Sequence, residues 1–197
     1  MPDKSKRRPT IAPSAAQGPT RSVMDLPAQA PDGLVHVLVD TPRGSSQKYK
    51  YDPQLRCFRL SRMLPAGMHF PCDFGSIPGT CAADGDALDV VLVSEHSSFV
   101  GCLVTACLIG TLEAAQREGR KTLRNDRLVG VPVTPVNPPR WHEIEELPAT
   151  LLDELEQFFV SYNRAQGRTF EVLARRGAAA AHRALSAASG ARRRNPT

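Results

Sequence analysis

Three carboxylates within six residues, Asp84, Asp86 and Asp89, abut the apolar run Val90 to Val93. An unpaired carboxylate is very costly to bury, so these acids must lie at the mouth of the strand they precede and not in the core beneath it. Side chains alternate along a strand, which points Asp84 and Asp86 the same way, and a local bend brings Asp89 beside them. Like charges that close repel by kcal/mol each at an effective dielectric of about 20, so the cluster calls for a divalent cation or a bound proton. Oxygen donors without a neighbouring Cys or His pair fit magnesium or manganese better than zinc. A calcium loop, or a solvated turn whose aspartates cap their own amides, has the same composition, and spacing alone leaves these readings open.

A chain of 197 residues suits one domain with a real core, plus tails. Its net charge of +5 is not spread evenly. Residues 1–30 hold five Lys and Arg against two acids, and residues 171–197 hold six against one, which leaves residues 31–170 with 14 against 17. The basicity sits in the ends, so a nucleic-acid face on the folded part is not expected. Five cysteines form no CxxC pair and their number is odd, which reads as reduced, intracellular thiols. No apolar run reaches the length of a membrane span, and the expectation is a soluble cytoplasmic protein.

Residues 1–30, rich in Pro, Ser and Ala without periodicity, read as a disordered basic extension. Leu34 to Asp40 reads as a strand buried on both faces. Lys48 to Tyr51 alternates cation with aromatic, and the segment after Asp52-Pro53 reads as a hairpin return ending at Arg62. Phe70 to Pro78 reads as a loop held down by its aromatics. Two further strands, Cys102 to Leu112 and Leu128 to Val133, flank a polar insertion from Glu113 to Arg127. From Pro148 to Gln166 the period changes: Leu151, Leu152, Leu155, Phe158, Phe159 and Tyr162 fall at helical spacing, with Gly167 as a stop. Ala178 to Ala188 reads as a weaker helix, so residues 171–197 form an Ala/Arg-rich helix and tail. Short strands followed by a helix predict an α+β domain with a small barrel or strongly curved sheet.

From about Leu34 to Phe170 the order of these pieces resembles the soluble family I inorganic pyrophosphatases. The most specific piece is Asp84-Gly85-Asp86-Ala87-Leu88-Asp89-Val90, similar to the family signature DGDPLDV, with Ala87 at the proline position. Asp40-Thr41-Pro42, Lys48-Tyr49, Ser61-Arg62, Phe70 to Gly75, Leu108-Ile109-Gly110 and Phe158-Phe159 with Tyr162 follow in the family's order. The resemblance implies an OB-like five-stranded β-barrel with flanking α-helices, magnesium-dependent hydrolysis of pyrophosphate to two phosphates, and a homo-oligomer. It implies that Asp84 and Asp89 bind metal, and that Asp86 binds metal and takes the proton of the attacking water. Lys48, Arg62 and Tyr162 match groups holding phosphate oxygens, Arg127 stands where a lysine does so, and Asp40 stands at a glutamate position near the metals.

The chain also departs from the pattern. Lys50 replaces a glutamate, Phe70 and Phe74 replace tyrosines, and Asn163 replaces a phosphate-binding lysine. Gln116 and Asn125 fall at two further metal-binding aspartates, for which Asp126 is the nearest substitute. Neutral amides are weaker magnesium ligands than carboxylates. A divergent member of reduced efficiency is therefore expected, the alternative being an impaired relative that binds phosphate compounds or a protein partner.

Overall fold

The computed structural model describes residues 22–194. Much of the expected N-terminal extension and the last three residues lie outside that range. The described part of the extension is packed: Val23–Asp25 forms a 3-10 turn whose first amides are capped by Ser22, and Gln29 bridges to Val35.

Nine strands and two α-helices follow in chain order: β1 (Val35–Thr41), β2 (Gln47–Asp52), β3 (Cys57–Met63), β4 (Asp73–Ile77), β5 (Leu88–Leu92), β6 (Leu103–Glu118), β7 (Lys121–Arg124), β8 (Arg127–Pro132), α1 (Ala149–Arg164), β9 (Thr169–Gly177) and α2 (Ala178–Arg194). Strand β1 pairs with β4, β4 with β5, β5 with β8, β8 with β6, and β6 returns to β1. That circuit is a closed five-stranded barrel, antiparallel throughout except for the β5–β8 pair. Closure removes the free edges that an open sheet would expose. Outside the ring, β7 and β9 both pair with the far end of β6, and β2 and β3 form a separate hairpin. The expected α+β, OB-like barrel with flanking helices is thus the architecture found.

Two apolar clusters, each including one of the helices, hold the layers together. Val91, Ile109, Leu112 and Val129 pack with Leu152, Leu155 and Phe159 of α1. Val35, Val37, Val90, Leu92 and Leu128 pack with Ala181 and Leu185 of α2. Each such large side chain removed from water contributes about 1.5–3 kcal/mol. The helical spacing of the α1 leucines and phenylalanines places them on this one face, and Gly167, at φ 72°, ends the run.

Three sequence expectations need correction. The loop from Phe70 to Pro78 contains β4, every residue of which is buried. Its Gly75 serves close strand packing: a Cβ there would lie 2.4 Å from the Leu38 carbonyl oxygen. The polar insertion from Glu113 to Arg127 is a hairpin in which β6 runs on to Glu118, turns at Gly119 and returns as β7. Strand β9 was not read at all, and the domain boundary drawn at residue 170 falls inside it. Its pattern is polar because one edge rests on β6 while its arginines reach α1 and solvent.

Candidate functional site

A cavity of about 500 Å³ opens where the β2–β3 hairpin, the loop before β5, the start of β8 and the end of α1 meet. The loop is shaped by its own backbone. Thr80, buried, donates its hydroxyl to the Ile77 carbonyl and accepts the Leu88 amide. Gly85 takes φ 90°, which a side chain would oppose, and the Asp86 amide donates to Asp84 Oδ1 at 3.1 Å. Asp84, Asp86 and Asp89 all line the cavity, and Asp40 reaches it from β1.

These four acids do not converge on one point. Among the described residues no three His, Cys, Asp or Glu side chains form a group able to hold a metal ion. Two of the acids are paired with cations. Lys50 Nζ lies 2.8 Å from Asp86 Oδ2, and Arg127 Nη1 lies 2.7 Å from Asp89 Oδ2. Burial opposes the Lys50 charge, yet its hydrogen bond to Asp86 and the fields of Asp86, Asp89 and Asp40 raise its pKa above the ordinary value. Asp40 has no such partner: burial first, then the charge of Asp89, push its carboxyl from 3.8 up to about 7, against the opposing pull of Lys48, Ser76 and Lys50. Its Oδ1 is buried with no hydrogen-bond partner.

The cations are set in a floor of aromatic rings. Lys48 Nζ stands 4.9 Å from the Phe74 ring centre and 5.7 Å from that of Tyr162. The Arg62 guanidinium lies 5.9 Å from the Tyr162 ring, and that of Arg127 lies 5.4–5.8 Å from Phe74, Phe159 and Phe170. Ring faces attract cations without consuming their N–H donors, so the heads are oriented while donors remain free. Arg62 Nη1 and Arg127 Nε are in fact buried without a partner. Lys48 and Arg62 face each other across the hairpin, which explains how one alternating strand and its return deliver both.

Gln116 and Asn125 lie in the cavity wall and bond to each other, Asn125 Nδ2 donating to Gln116 Oε1 at 2.8 Å, while Asn125 Oδ1 accepts from Arg127. Asp126 is turned away. It accepts from the Ala114 amide and from Arg124, and it lines a neighbouring cavity of about 300 Å³, beneath Ala184 and Ala188 of α2, that also touches Asp84 and Asp89. Lys48, Arg62, Arg127 and Tyr162, together with Asp84, Asp86, Asp89 and Asp40, are therefore brought to one cavity, and Asp126 is not. Sequence reasoning missed Ser76, Met24 and Arg168 in its lining. Ser76 was hidden in a segment read as loop, Met24 in one read as disordered, and Arg168 carried no motif.

A family model described as inorganic pyrophosphatase matches residues 37–192. The inorganic pyrophosphatase of Synechocystis sp. is 36% identical over 151 residues, covering 75% of this chain and 85% of the relative. That of Methanosarcina acetivorans is 34% identical over 148 residues, covering 74% and 84%. Among solved structures, the inorganic pyrophosphatase of Thermus thermophilus superposes with a TM-score of 0.78 at 29% identity, covering 86% of this chain and 98% of that one. The closed barrel, the aspartate loop at its rim and these similarities agree, and the chain belongs to the inorganic pyrophosphatase family.

Proposed function

We propose that this chain hydrolyses inorganic pyrophosphate to two phosphates, at reduced efficiency. The observation that carries the proposal is a single cavity lined both by the cationic side chains of Lys48, Arg62 and Arg127 and by the carboxylate of Asp86. In this reading Lys48, Arg62, Arg127 and the Tyr162 hydroxyl hold the oxygens of the substrate. Asp86 takes a proton from water as its oxygen bonds to one phosphorus, and the bridging P–O bond breaks, with the electron pair leaving on the second phosphate. Lys50, 2.8 Å from Asp86 Oδ2, orients that carboxylate at the rim. General-base assistance of this kind contributes typically about 10²- to 10⁴-fold.

Magnesium, with manganese in its place, is the cofactor this reading inherits from its family. The donors do not fit a resident cluster of such ions. Lys50 holds Asp86, Arg127 holds Asp89 and donates to Asn125 Oδ1, and Gln116 Oε1 accepts from Asn125 Nδ2, leaving Asp84 and the unpartnered Oδ1 of Asp40. A homo-oligomer also belongs to the reading; Phe99 and Leu103, large apolar side chains exposed on one turn and strand start, support it, and light scattering tests it. No helix among the described residues is long and apolar enough to cross a membrane, and a cytoplasmic location is proposed with the rest.

The Lys50–Asp86 pair and the Gln116–Asn125 pair favour a second reading, a relative that keeps the cavity to bind phosphate compounds or a protein partner without turnover. Phosphate release from pyrophosphate, measured with magnesium, with manganese and with chelator for the native chain and for Asp86→Asn, separates the two. Release by the native chain well above that of the variant supports hydrolysis; equal release in every buffer overturns it.

A further inference from the structure

We infer that this cavity takes a diphosphate anion without a divalent cation, because Lys50 and Arg127 supply, tethered to the fold, the positive charge that pairs with Asp86 and Asp89. The inference rests on the phosphate-binding reading above and specifies the charge arrangement on which that binding depends.

An incoming polyanion meets two obstacles at a site built on aspartates: repulsion from the acids, and cations already consumed by them. Here the two are separated. Asp86 and Asp89, the acids at the rim and at the start of β5, are each held within 2.8 Å of a cation of the same chain. Asp40 is buried in β1, 7% exposed, with the fields of Lys48 and Lys50 offsetting its charge. Lys48 and Arg62 form no ion pair among the described residues and are pinned over rings. Arg168, the remaining cation of the lining, is drawn to Glu118 at 3.0 Å. One set of cations therefore neutralises Asp86 and Asp89, with Asp84 left as the unpaired acid of the loop, while Lys48 and Arg62 stay free to receive the anion. Arg62 Nη1 and Arg127 Nε are buried without hydrogen-bond partners, so the protein leaves neither guanidinium fully satisfied, at a cost of about 1–3 kcal/mol for a buried donor. Arg127 is 6% exposed, so its geometry is imposed by packing and not by solvent. Lys50 is the adjustable member. It lies two residues from Lys48 on β2, its side chain is more than half exposed, and it can turn from Asp86 to a phosphate oxygen without unpacking anything.

The test is calorimetric titration of methylenediphosphonate, a diphosphate with a non-hydrolysable bridge, into the native chain and into Lys50→Gln and Lys50→Glu, each in chelator and then in excess magnesium. The native chain is expected to bind in chelator, with an affinity that magnesium changes by less than about threefold. Lys50→Glu is expected to lose at least tenfold in chelator and to regain most of it with magnesium, and Lys50→Gln to fall between. Circular dichroism of the variants checks that they fold, as the exposure of Lys50 implies. Binding by the native chain only when magnesium is present overturns this inference and leaves the phosphate-binding reading intact. Binding in neither buffer overturns both. Binding in chelator that Lys50→Glu leaves unchanged removes Lys50 from the assignment and overturns the tethered-charge account.

Discussion

Asn125 Nδ2 donates to Gln116 Oε1 across 2.8 Å, joining β6 to the turn before β8 by a neutral bond inside the cavity wall. The resemblance to the family implies carboxylates at both positions, and two carboxylates could not adopt this contact without a cation or a shared proton between them. The double variant Gln116→Asp/Asn125→Asp is therefore expected to bind Mn²⁺ at least about tenfold more tightly than the native chain, in line with the effect of altering metal-supporting groups. Electron paramagnetic resonance of free Mn²⁺ in a titration reads this directly. An unchanged affinity would mean that the amide pair is not what keeps cations out.

The Asp86 side chain is exposed and, among the described residues, is paired with Lys50, so replacing it changes charge with little effect on packing. Asp86→Asn is expected to lower the rate of phosphate release by about 10²-fold or more. With the anion held by Lys48, Arg62 and Arg127 as proposed, binding of methylenediphosphonate should weaken by no more than about threefold. A parallel loss of binding and rate would assign Asp86 to positioning instead of proton transfer.

Much of this molecule was legible before its structure was known, and the parts that were not share a cause. Val35 to Thr41 and the α1 face around Leu155 are governed by local periodicity, which a sequence carries openly. Strand β4 was lost because the need for Gly75, set by the 2.4 Å approach to Leu38, does not show when its partner is not in view. Strand β9 was lost because its polar residues pair with distant ones, Arg175 with Asp153 and Glu156 on α1. The acids of the cavity were all named, and its cations except Arg168, but their partners were not. That Lys50 would close on Asp86, or that Asp126 would turn toward Arg124, depends on a fold that brings together residues far apart or on opposite sides of a strand.

The buried Asp40 makes stability depend on pH with an unusual sign. Its carboxyl releases a proton near 3.8 in the unfolded chain and near 7 in the folded one, so between those values the folded state holds the extra proton. Stability contributed by this group therefore falls as pH rises from about 4 to 7, and above 7 the full penalty, on the order of 4 kcal/mol, is in place. Denaturant unfolding of the metal-free chain at pH 5 and pH 8 is expected to show a loss that Asp40→Asn largely abolishes. Equal pH dependence in native and variant chains would show that Asp40 is not the group responsible.

Arg175 ties β9 to α1 through two carboxylates, with Nε 2.7 Å from Glu156 and Nη2 close to Asp153. The two hydrogen bonds raise its pKa above an already high value, so the guanidinium stays charged at any pH at which the fold persists. Its side chain is one-third exposed, which screens the pair and keeps its contribution near that of other partly solvated bridges. Arg175→Ala is expected to destabilise the fold by about 1 kcal/mol, a fall in Tm of about 2–4 °C for a chain of this size. A Glu156→Ala variant should cost a similar amount, and the double variant less than the sum, since both remove one contact. Because β9 borders β6 near Gln116 and Arg168 follows the end of α1, a larger loss that also lowers diphosphonate affinity would mean that this clamp sets the width of the cavity as well as the stability of the fold.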